Sequence, residues 1–297
     1  MGKPNGKTHR DDGSFSISGV SEILKPDPEK EKPSQDVNGR LFVEKTKEAT
    51  MKTHSHILIN VPHASTFIPE EERRFFDEGK LTHELLAMTD HFCDDLFGHG
   101  YEMIRFPVSR LFCDFERFRD DENEIMAKKG MGACYVASSD LTPLRQLTLE
   151  HREEIIRTYY DTYHLALTLA VEEKLGLLDR CVIIDGHSFP AVPLPYEYDQ
   201  NPNRPDICIG TDDFHTTEKM VQQTADFFSK KGFRIAINAP FAGTMVPMKY
   251  YKTDRRVSSI MIEINRQLYM EADGTPNEDY PVLKGFLAEW LTLIEKS

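Results

Sequence analysis

Short apolar runs alternate with longer helical stretches from about residue 55 onward, and this alternation limits the possible folds more than any other feature. Strands separated by helices predict βαβ units and a mostly parallel sheet that is covered on both faces. The six runs are rich in β-branched and aromatic residues, as buried strands are. They are His56–Val61, Tyr101–Val108, Cys181–Asp185, Ile207–Gly210, Phe233–Asn238 and Ser259–Asn265.

Five stretches between and after these runs have the character of helices. In the longest, apolar residues such as Leu149, Ile156, Tyr163 and Leu167 recur near the helical period, with charged residues between them. The predicted fold class is therefore α/β, as a single three-layer α/β/α domain with a mostly parallel central sheet. The predicted helices are Glu70–Asp77, Thr82–Phe97, Pro143–Leu175, Thr216–Lys230 and Pro281–Glu295.

Residues 1–50 differ in composition from the rest of the chain. They contain nine basic and nine acidic residues, and their one apolar cluster is the short run 41–43. Such a segment buries too little apolar surface to offset the entropy lost on ordering. We therefore predict a flexible N-terminal extension over 1–50 and a folded domain over 51–297. A segment that binds a partner is the alternative for the extension.

The charge balance excludes some classes of partner. The chain has 36 Lys and Arg against 49 Asp and Glu, a formal net charge of −13, and all of this excess lies in residues 51–297. Acidic proteins repel phosphate backbones, and no apolar run approaches the roughly 20 residues of a membrane-spanning helix. We therefore expect neither nucleic acid nor membrane as a partner. The five scattered cysteines and the absence of an export signal predict free thiols and a cytoplasmic location.

Two histidines follow two of the predicted strands. His63 comes two residues after Val61, and His187 comes two residues after Asp185. Because the carboxyl ends of parallel strands meet at one edge of a sheet, loops there can aim both imidazoles into a shared cleft. A histidine at a strand end is also a common structural residue. Other histidines that compete as candidates are His91, His99, His151, His164 and His215.

Two acidic residues add to this pattern. Glu263 interrupts the last apolar strand, and a buried carboxylate is costly unless it is paired, bound to a metal or used in catalysis. Arg266 is the candidate partner for a structural pair. Asp90 fits a helix cap or a surface charge as well as a ligand. Two histidines and a carboxylate, with a further glutamate acting on water, compose a common hydrolytic zinc site. The residues alone leave the metal site and the structural interpretations open.

Arginines form a second candidate cluster. Arg110 follows the second strand, and Asp114, Glu116 and Arg117 come shortly after it. A guanidinium at a strand end suits an acidic small substrate, because it can form two parallel hydrogen bonds with a carboxylate. A structural pair such as Arg110–Asp114 is the alternative. After another strand, the small residues of 238–244 would let backbone N–H groups approach a ligand.

Taken in order, these motifs resemble those of the N-formylglutamate amidohydrolases. The resemblance covers about residues 55–295 and depends on the order and spacing of the motifs. They are Val61-Pro62-His63, Thr89-Asp90, Ser109-Arg110 with Asp114 and Arg117, Tyr163-His164, Asp185-Gly186-His187-Ser188, Pro205-Asp206 to Gly210, Asn238 to Gly243, and Glu263 with Tyr269-Met270.

The resemblance implies a fold like that of the zinc carboxypeptidases, of the phosphorylase/hydrolase-like kind, with a metal at the carboxyl ends of the strands. It implies hydrolysis of N-formyl-L-glutamate to formate and glutamate, a late step of histidine breakdown. Zinc, or another divalent ion, is the implied cofactor, and a small anionic N-acyl amino acid is the implied partner. The oligomeric state stays open.

Site residues are implied by the same resemblance. The implied zinc ligands are His63, Asp90 and His187, and the implied general base is Glu263. Arg110 and Arg117 are implied to bind the substrate carboxylates. The implied pocket lining adds Asn238 and Gly243.

The chain departs from the family pattern at two places. Glu116 stands where the family usually has asparagine, and Lys249 lies where the histidine-pathway enzymes tend to have an arginine. These departures leave amide hydrolysis as the expected reaction and bear on the identity of the substrate. A carboxypeptidase-like or peptidoglycan-type amidase is one alternative, although the absence of an export signal counts against cell-wall work. A non-catalytic protein that binds a carboxylated ligand is an alternative of another class.

Overall fold

The computed structural model describes residues 54–297, so the predicted flexible extension over 1–50 lies outside the described residues. Six strands form one sheet in this part of the chain, and each corresponds to a predicted apolar run. The strands are β1 (Ile57–Val61), β2 (Glu102–Arg105), β3 (Cys181–Phe189), β4 (Ile207–Gly210), β5 (Ile235–Ile237) and β6 (Val257–Asn265).

Helices connect and flank these strands. A π-helical turn at Ile156–Tyr160 joins α4 to α5, and short 3-10 helices lie at Ile125–Lys129 and Arg266–Leu268. No helix among residues 54–297 is long and apolar enough to cross a membrane. The α-helices are α1 (Glu70–Arg73), α2 (Glu78–Met88), α3 (Cys93–Phe97), α4 (Leu149–Ile155), α5 (Asp161–Leu178), α6 (Glu218–Lys230) and α7 (Tyr280–Glu295).

The sheet has the strand order β2-β1-β3-β6-β4-β5. Neighbouring strands are parallel except for β4, which runs antiparallel to β6. His187 of β3 lies beside Glu263 of β6, and Cys208 of β4 lies on the other side of Glu263. Directly opposed residues point to the same face of a sheet. The side chains of His187, Glu263 and Cys208 therefore share one face.

Two buried apolar clusters lie on opposite faces of the sheet. One packs Leu58 and Ile183 against residues such as Leu167 and Val171 of α5. The other packs Ile184 and Ile262 against α3, α6 and α7, and it includes Trp290. Together with the sheet, these layers confirm the predicted three-layer α/β/α domain. The five cysteines are free and buried, as expected for small core residues.

Two predicted helices have different bounds in the structure. The predicted helix 82–97 is wrong in its middle, because the chain leaves α2 at Met88 and Phe92 adopts a left-handed φ of 64° before α3 begins. Asp90 lies in this break. The predicted helix 143–175 begins only at Leu149, because the Thr148 side chain caps it by accepting a hydrogen bond from the His151 N–H.

Several strand ends also differ from the prediction. β3 continues to Phe189, because β6 pairs with it as far as Asn265, so His187 lies within the strand rather than in the loop after it. β2 stops at Arg105, two residues before Pro107, which has no N–H for the ladder. The first helix and β5 are shorter than predicted, whereas β6 begins earlier, at Val257.

Gly186 brings α3 close to the middle of β3. A Cβ at Gly186 would lie 2.7 Å from the Phe97 ring, and Phe97 is fully buried. No side chain larger than hydrogen fits this approach without movement of the ring. The glycine between Asp185 and His187 therefore sets the distance between the sheet and the helix beside the site.

Replacing Gly186 with alanine should destabilise the protein. Overpacking of this kind costs about 1–3 kcal/mol in the free energy of unfolding, measured by urea denaturation. Gly176→Ala in α5 is the matched control, because its Cβ would meet nothing within 4 Å. We expect that change to be neutral or stabilising by about 0.5–1 kcal/mol. Equal stabilities of the two variants would contradict the close packing.

Candidate functional site

Four of the predicted site residues lie together at the carboxyl ends of β1, β3 and β6. His63, Asp90, His187 and Glu263 are 2%, 1%, 3% and 8% exposed. The imidazole centroids of His63 and His187 are 5.1 Å apart. Charged groups that are buried to this extent must be paired or bound to a ligand.

On its Nε2 side, each imidazole contacts a buried aspartate. His63 Nε2 lies 2.9 Å from Asp114 Oδ1, and His187 Nε2 lies 3.2 Å from Asp185 Oδ1. Asp114 Oδ2 also accepts a hydrogen bond of 2.8 Å from the Tyr135 hydroxyl. Histidines that bind metals usually donate their other ring N–H to a carboxylate in this manner.

Asp185 is itself fixed in place. Its Oδ1 accepts a hydrogen bond of 2.8 Å from Asn60 Nδ2, and its Oδ2 accepts one of 2.8 Å from the Met245 N–H. The side-chain oxygen of Asn60, Oδ1, in turn accepts a hydrogen bond of 2.8 Å from the Tyr163 hydroxyl. Burial alone would raise the pKa of Asp185, but the charge and hydrogen bond of His187 lower it. Asp185 therefore orients His187 as an ionised carboxylate.

On the Nδ1 side, both imidazoles face Asp90. Asp90 Oδ2 lies 3.2 Å from His187 Nδ1 and 3.6 Å from His63 Nδ1. His63 Nδ1 is buried and has no hydrogen-bond partner. Donors bound to zinc at about 2.0–2.2 Å in a tetrahedron lie about 3.3–3.6 Å apart. Each of the two distances from Asp90 is therefore close to the separation of two donors on one zinc.

Arg266 pairs with Asp90 and not with Glu263, so the structural pair considered for Glu263 does not form. Arg266 Nη2 donates to Asp90 Oδ1 at 3.0 Å, and the same guanidinium donates to the Ala87 carbonyl at 2.5 Å and to Ser188 Oγ at 3.1 Å. Burial alone would raise the pKa of Asp90, but the hydrogen bond with His187 and the charges of His63 and Arg266 hold it well below its usual value.

Glu116 offers a second carboxylate to the same imidazoles. Its Oε2 lies 3.2 Å from His187 Nε2 and 3.8 Å from His63 Nε2. One ligand atom from each of His63, Glu116 and His187 lies within 4.8 Å of the others, so this buried group can hold a metal ion. Burial and the charge of Asp185 raise the pKa of Glu116. In the sequence, this residue stood out only as a departure from the family pattern.

Glu263 has no ion-pair partner among the described residues. Its Oε2 is buried without a hydrogen-bond partner, although β6 places it directly beside His187. Burial raises the pKa of Glu263 to about 7, with the charge of His187 acting in the opposite direction. A carboxyl group left unpaired at such a cost is free to accept and donate protons.

The two predicted arginines share one aspartate. Arg110 Nη2 donates to Asp114 Oδ2 at 3.0 Å, and Arg117 Nε lies 3.8 Å from the same oxygen. The Arg110–Asp114 pair considered as a structural alternative is therefore present. The Nε atoms of both arginines are nevertheless buried without acceptors. Two guanidinium charges against one carboxylate leave positive charge for an anionic ligand.

Asn238 lies outside this group. It is exposed, and its side chain accepts a hydrogen bond from the Thr211 N–H at 2.9 Å and donates one to Thr211 Oγ1 at 2.7 Å. The family resemblance implied that it lines the substrate pocket. However, β5 is parallel to β4, and β4 runs opposite to β6, so the carboxyl end of β5 points to the other edge of the sheet.

The loop after Asn238 nevertheless returns to the site through its backbone. Gly243 has a φ of 93°, which favours glycine, and two residues later the Met245 N–H reaches Asp185. Lys249 does not replace a cation of the site: it pairs with Glu172 of α5 on the exposed surface. This segment thus contacts the residues around the histidines through the Met245 N–H, and not through a side chain that was predicted to lie there.

The competing histidines are engaged elsewhere. Each has a ring nitrogen that contacts a backbone carbonyl or another carboxylate, as structural histidines do. The contacts are His91 with Leu86 O at 3.2 Å, His99 with Leu96 O at 2.8 Å, His151 with Glu72 at 2.9 Å, His164 with Phe115 O at 2.9 Å, and His215 with Val257 O at 2.7 Å.

Sequence reasoning missed Asn60 and Tyr135, which support the aspartates behind the two imidazoles. Asn60 carried a signal, because it is a polar residue inside an otherwise apolar strand. Tyr135 carried none, because it lies in a loop and reaches Asp114 only through the folded backbone.

Comparison with known proteins gives the following matches. The family described as N-formylglutamate amidohydrolase matches residues 55–270. The crystal structure of N-formylglutamate amidohydrolase from Ralstonia eutropha JMP134 is similar, with a TM-score of 0.71 and 23% identity over 82% of this chain and 93% of that one. The crystal structure of gene product Atu2144 from Agrobacterium tumefaciens has a TM-score of 0.60 and 17% identity over 81% and 92%. No curated protein matches the chain.

Breaking the Asp90–Arg266 pair should cost much stability. Arg266→Met leaves a buried carboxylate without its partner, and such changes cost about 3–5 kcal/mol in the free energy of unfolding. Arg256→Met is the control, because Arg256 pairs with Asp254 while 51% of its side chain is exposed. We expect the control to leave stability nearly unchanged. Chemical denaturation of both variants measures the difference, and a small loss for Arg266→Met would contradict the role of this pair.

Proposed function

The chain belongs to the N-formylglutamate amidohydrolase family, which supports an enzyme that hydrolyses an amide bond, and we propose a metal-dependent reaction on a small N-formyl or N-acyl amino acid. The proposed substrate is N-formyl-L-glutamate, and the products are formate and glutamate. The observation that carries the proposal is the convergence of two buried imidazoles on Asp90, beside the unpaired Glu263. A cytoplasmic location and a step in histidine breakdown remain predictions.

The proposed metal ligands are His63 Nδ1, His187 Nδ1 and Asp90 Oδ2. Two observations favour them over a set that includes Glu116. His63 Nδ1 lacks any hydrogen-bond partner, whereas the Nε2 atoms of both imidazoles already face ordered aspartates. Zinc suits two imidazoles and one carboxylate, a donor set that leaves a further position for water or substrate. Another divalent ion with the same preferences is an alternative.

Zinc in this place would lower the pKa of a water molecule and polarise the amide carbonyl. Glu263 is the proposed general base. It accepts a proton from the attacking water and passes that proton to the leaving amine. Among residues 54–297, Glu263 has no ion-pair partner and its Oε2 accepts no hydrogen bond, so this oxygen is available to take the proton.

Arg110 and Arg117 are proposed to bind a substrate carboxylate. Each has a buried Nε that lacks an acceptor, and among residues 54–297 Asp114 is the carboxylate that both of them contact. Charge-assisted hydrogen bonds to a carboxylate are about twice as strong as neutral ones. The two guanidinium groups would therefore orient the amide bond relative to the imidazole cluster. A peptidase or a peptidoglycan amidase would use the same cluster on a different substrate.

Substitution of the two candidate carboxylates tests the metal site. We expect wild-type protein to bind about one zinc, consistent with a single site of this kind. Asp90→Asn keeps the size of the side chain and an acceptor for Arg266, but it should weaken zinc binding at least about 100-fold, because a ligand is lost. Glu116→Gln should change it only slightly. Competition with a chromogenic chelator measures both affinities.

Two results would contradict this assignment. The reverse ranking of the variants would make Glu116 the third ligand instead of Asp90. Wild-type protein without affinity for zinc or any other divalent ion would favour the non-catalytic binding protein. Asp114→Asn serves as a further control, because the loss of a carboxylate behind a metal-binding imidazole should weaken affinity by about 10- to 100-fold.

Glu263→Gln tests the general base. The change should lower the rate of formate release by about 10²- to 10⁴-fold, since proton transfer contributes that much, while zinc binding is retained. Glu271→Gln, at an exposed glutamate of the same chain segment, should keep full activity. The assay measures formate released from a set of N-formyl amino acids and free amine released from N-acyl ones, with and without a chelator. Full activity of the Glu263 variant would remove this residue from the mechanism.

A further inference from the structure

The segment between β3 and β4 contains a buried guanidinium that the proposed reaction does not use. The side chain of Arg204 is only 2% exposed. Its Nη2 donates to the Glu197 carboxylate and, at 3.0 Å, to the Asp199 carbonyl. Its Nε and Nη1 are buried without hydrogen-bond acceptors. A guanidinium that is taken out of water in this way is costly unless something accepts its remaining N–H groups.

Arg204 lies on the face of the sheet that carries the site. Its guanidinium carbon is 5.7 Å from the centroid of the Phe189 ring and 5.6 Å from that of Phe241. Phe189 follows His187 by two residues in β3, so the two side chains point to the same face, about 7 Å apart along the strand. Asp185, His187 and Phe189 are alternate residues of β3 and share this face. The guanidinium is thus close to the last of the three.

Arg204 also lies just before β4, the strand that pairs with β6 at Glu263. Cys208 is directly opposite Glu263 in the antiparallel pair of β4 and β6. Burial raises the pKa of the Cys208 thiol to about 11, with the charges of Glu263 and Arg204 acting on it in opposite directions. Glu263 is thus the direct neighbour of Cys208, and the charge of Arg204 acts on the same thiol from the segment before β4.

The position of Arg204 differs from that of the other arginines. Arg110 and Arg117 follow β2 and pair with Asp114 behind His63, whereas Arg204 precedes β4 and lies beside β3 and β6. In the strand order, β1 separates β2 from β3 and the histidine cluster lies between the two sets. A ligand bound at this cluster therefore has the partly buried Arg110 and Arg117 on one side and the buried Arg204 on the other.

We propose that Arg204 binds the second carboxylate of a dicarboxylic substrate, and that it makes the enzyme selective for N-acyl derivatives of acidic amino acids. This inference rests on the proposed function. Arg110 and Arg117 take one carboxylate, and Nε and Nη1 of Arg204 take the other. Glu197 holds the guanidinium through Nη2, so the free N–H groups have a defined orientation. The Phe189 and Phe241 rings, 5.5 Å apart, exclude water and strengthen the interaction.

The kinetic test compares N-formyl-L-glutamate with N-formyl-L-norvaline, which lacks the second carboxylate. The double variant Arg204→Met/Glu197→Gln removes both charges, so no unpaired ion is left in the interior. It should lower kcat/KM for the glutamate derivative by about 10- to 100-fold, mainly through KM, as expected for loss of hydrogen bonds to a charged group. Activity on the norvaline derivative should change by less than about threefold, because neither charge touches that substrate.

Further variants separate binding from folding. Arg204→Lys keeps a charge beside Glu197 but loses the guanidinium donors, so it should show the same selective loss. Arg234→Met removes an exposed arginine that pairs with Asp206 and should leave both substrates unaffected. Equal losses on both substrates in the double variant would mean a structural role and would overturn the inference. Wild-type protein that hydrolyses both derivatives equally well would overturn it too, while the proposed reaction would stand.

A binding measurement keeps the inference testable if hydrolysis fails. The thermal shift of wild-type protein with L-glutamate is compared with that caused by L-norvaline. A thermal shift that L-glutamate causes and L-norvaline does not, and that is lost in the double variant, would support Arg204 as a carboxylate site. This holds even if no N-formyl amino acid is hydrolysed. In that case only the proposed reaction would be wrong. Equal shifts with both amino acids, or a glutamate shift that survives in the double variant, would overturn the inference.

Discussion

The buried ion pair of Asp90 and Arg266 holds the carboxyl edge of the sheet together. Asp90 sits in the break between α2 and α3, and its N–H donates to the His63 carbonyl at 2.9 Å. Its carboxylate contacts His187 and Arg266, and Arg266 in turn binds the backbone of both α2 and β3. Four segments that are distant in sequence therefore depend on one pair of charges. Because neither partner tolerates burial alone, the fold and the arrangement of the imidazoles are coupled.

The charges around the imidazoles do not balance. Among the described residues, Asp90, Asp114, Glu116, Asp185 and Glu263 face the cluster, and Arg110, Arg117 and Arg266 oppose them. With both histidines neutral and all carboxylates ionised, two negative charges remain. A divalent cation bound to the neutral imidazoles would cancel this excess. Burial raises the pKa of both Glu116 and Glu263. Part of the acidic excess of the domain thus lies where the proposed cation would act.

Much of the architecture follows from local patterns, but the details of the site do not. The six apolar runs predicted every strand, because burial on both faces demands continuous apolar residues. The extent of β3 was not predictable, since its last four residues depend on pairing with β6, which lies about 75 residues later. The break around Asp90 depends on the left-handed Phe92, for which the sequence carries no signal. Periodicity also could not reveal that β4 is reversed, and this reversal places Asn238 at the other edge of the sheet.

The reversal of β4 has a consequence for the segment that precedes it. A connection between parallel neighbours must cross the whole sheet, whereas residues 190–206 leave β3 and enter β4 at the same edge. This segment is therefore a loop whose two ends lie at the edge of the sheet that carries the imidazoles. Its length and composition can change without any shift in strand register. The proposed metal ligands at the strand ends are constrained by the sheet, but this loop is not. A single antiparallel strand thus separates the residues proposed for the reaction from a segment that can change without disturbing them.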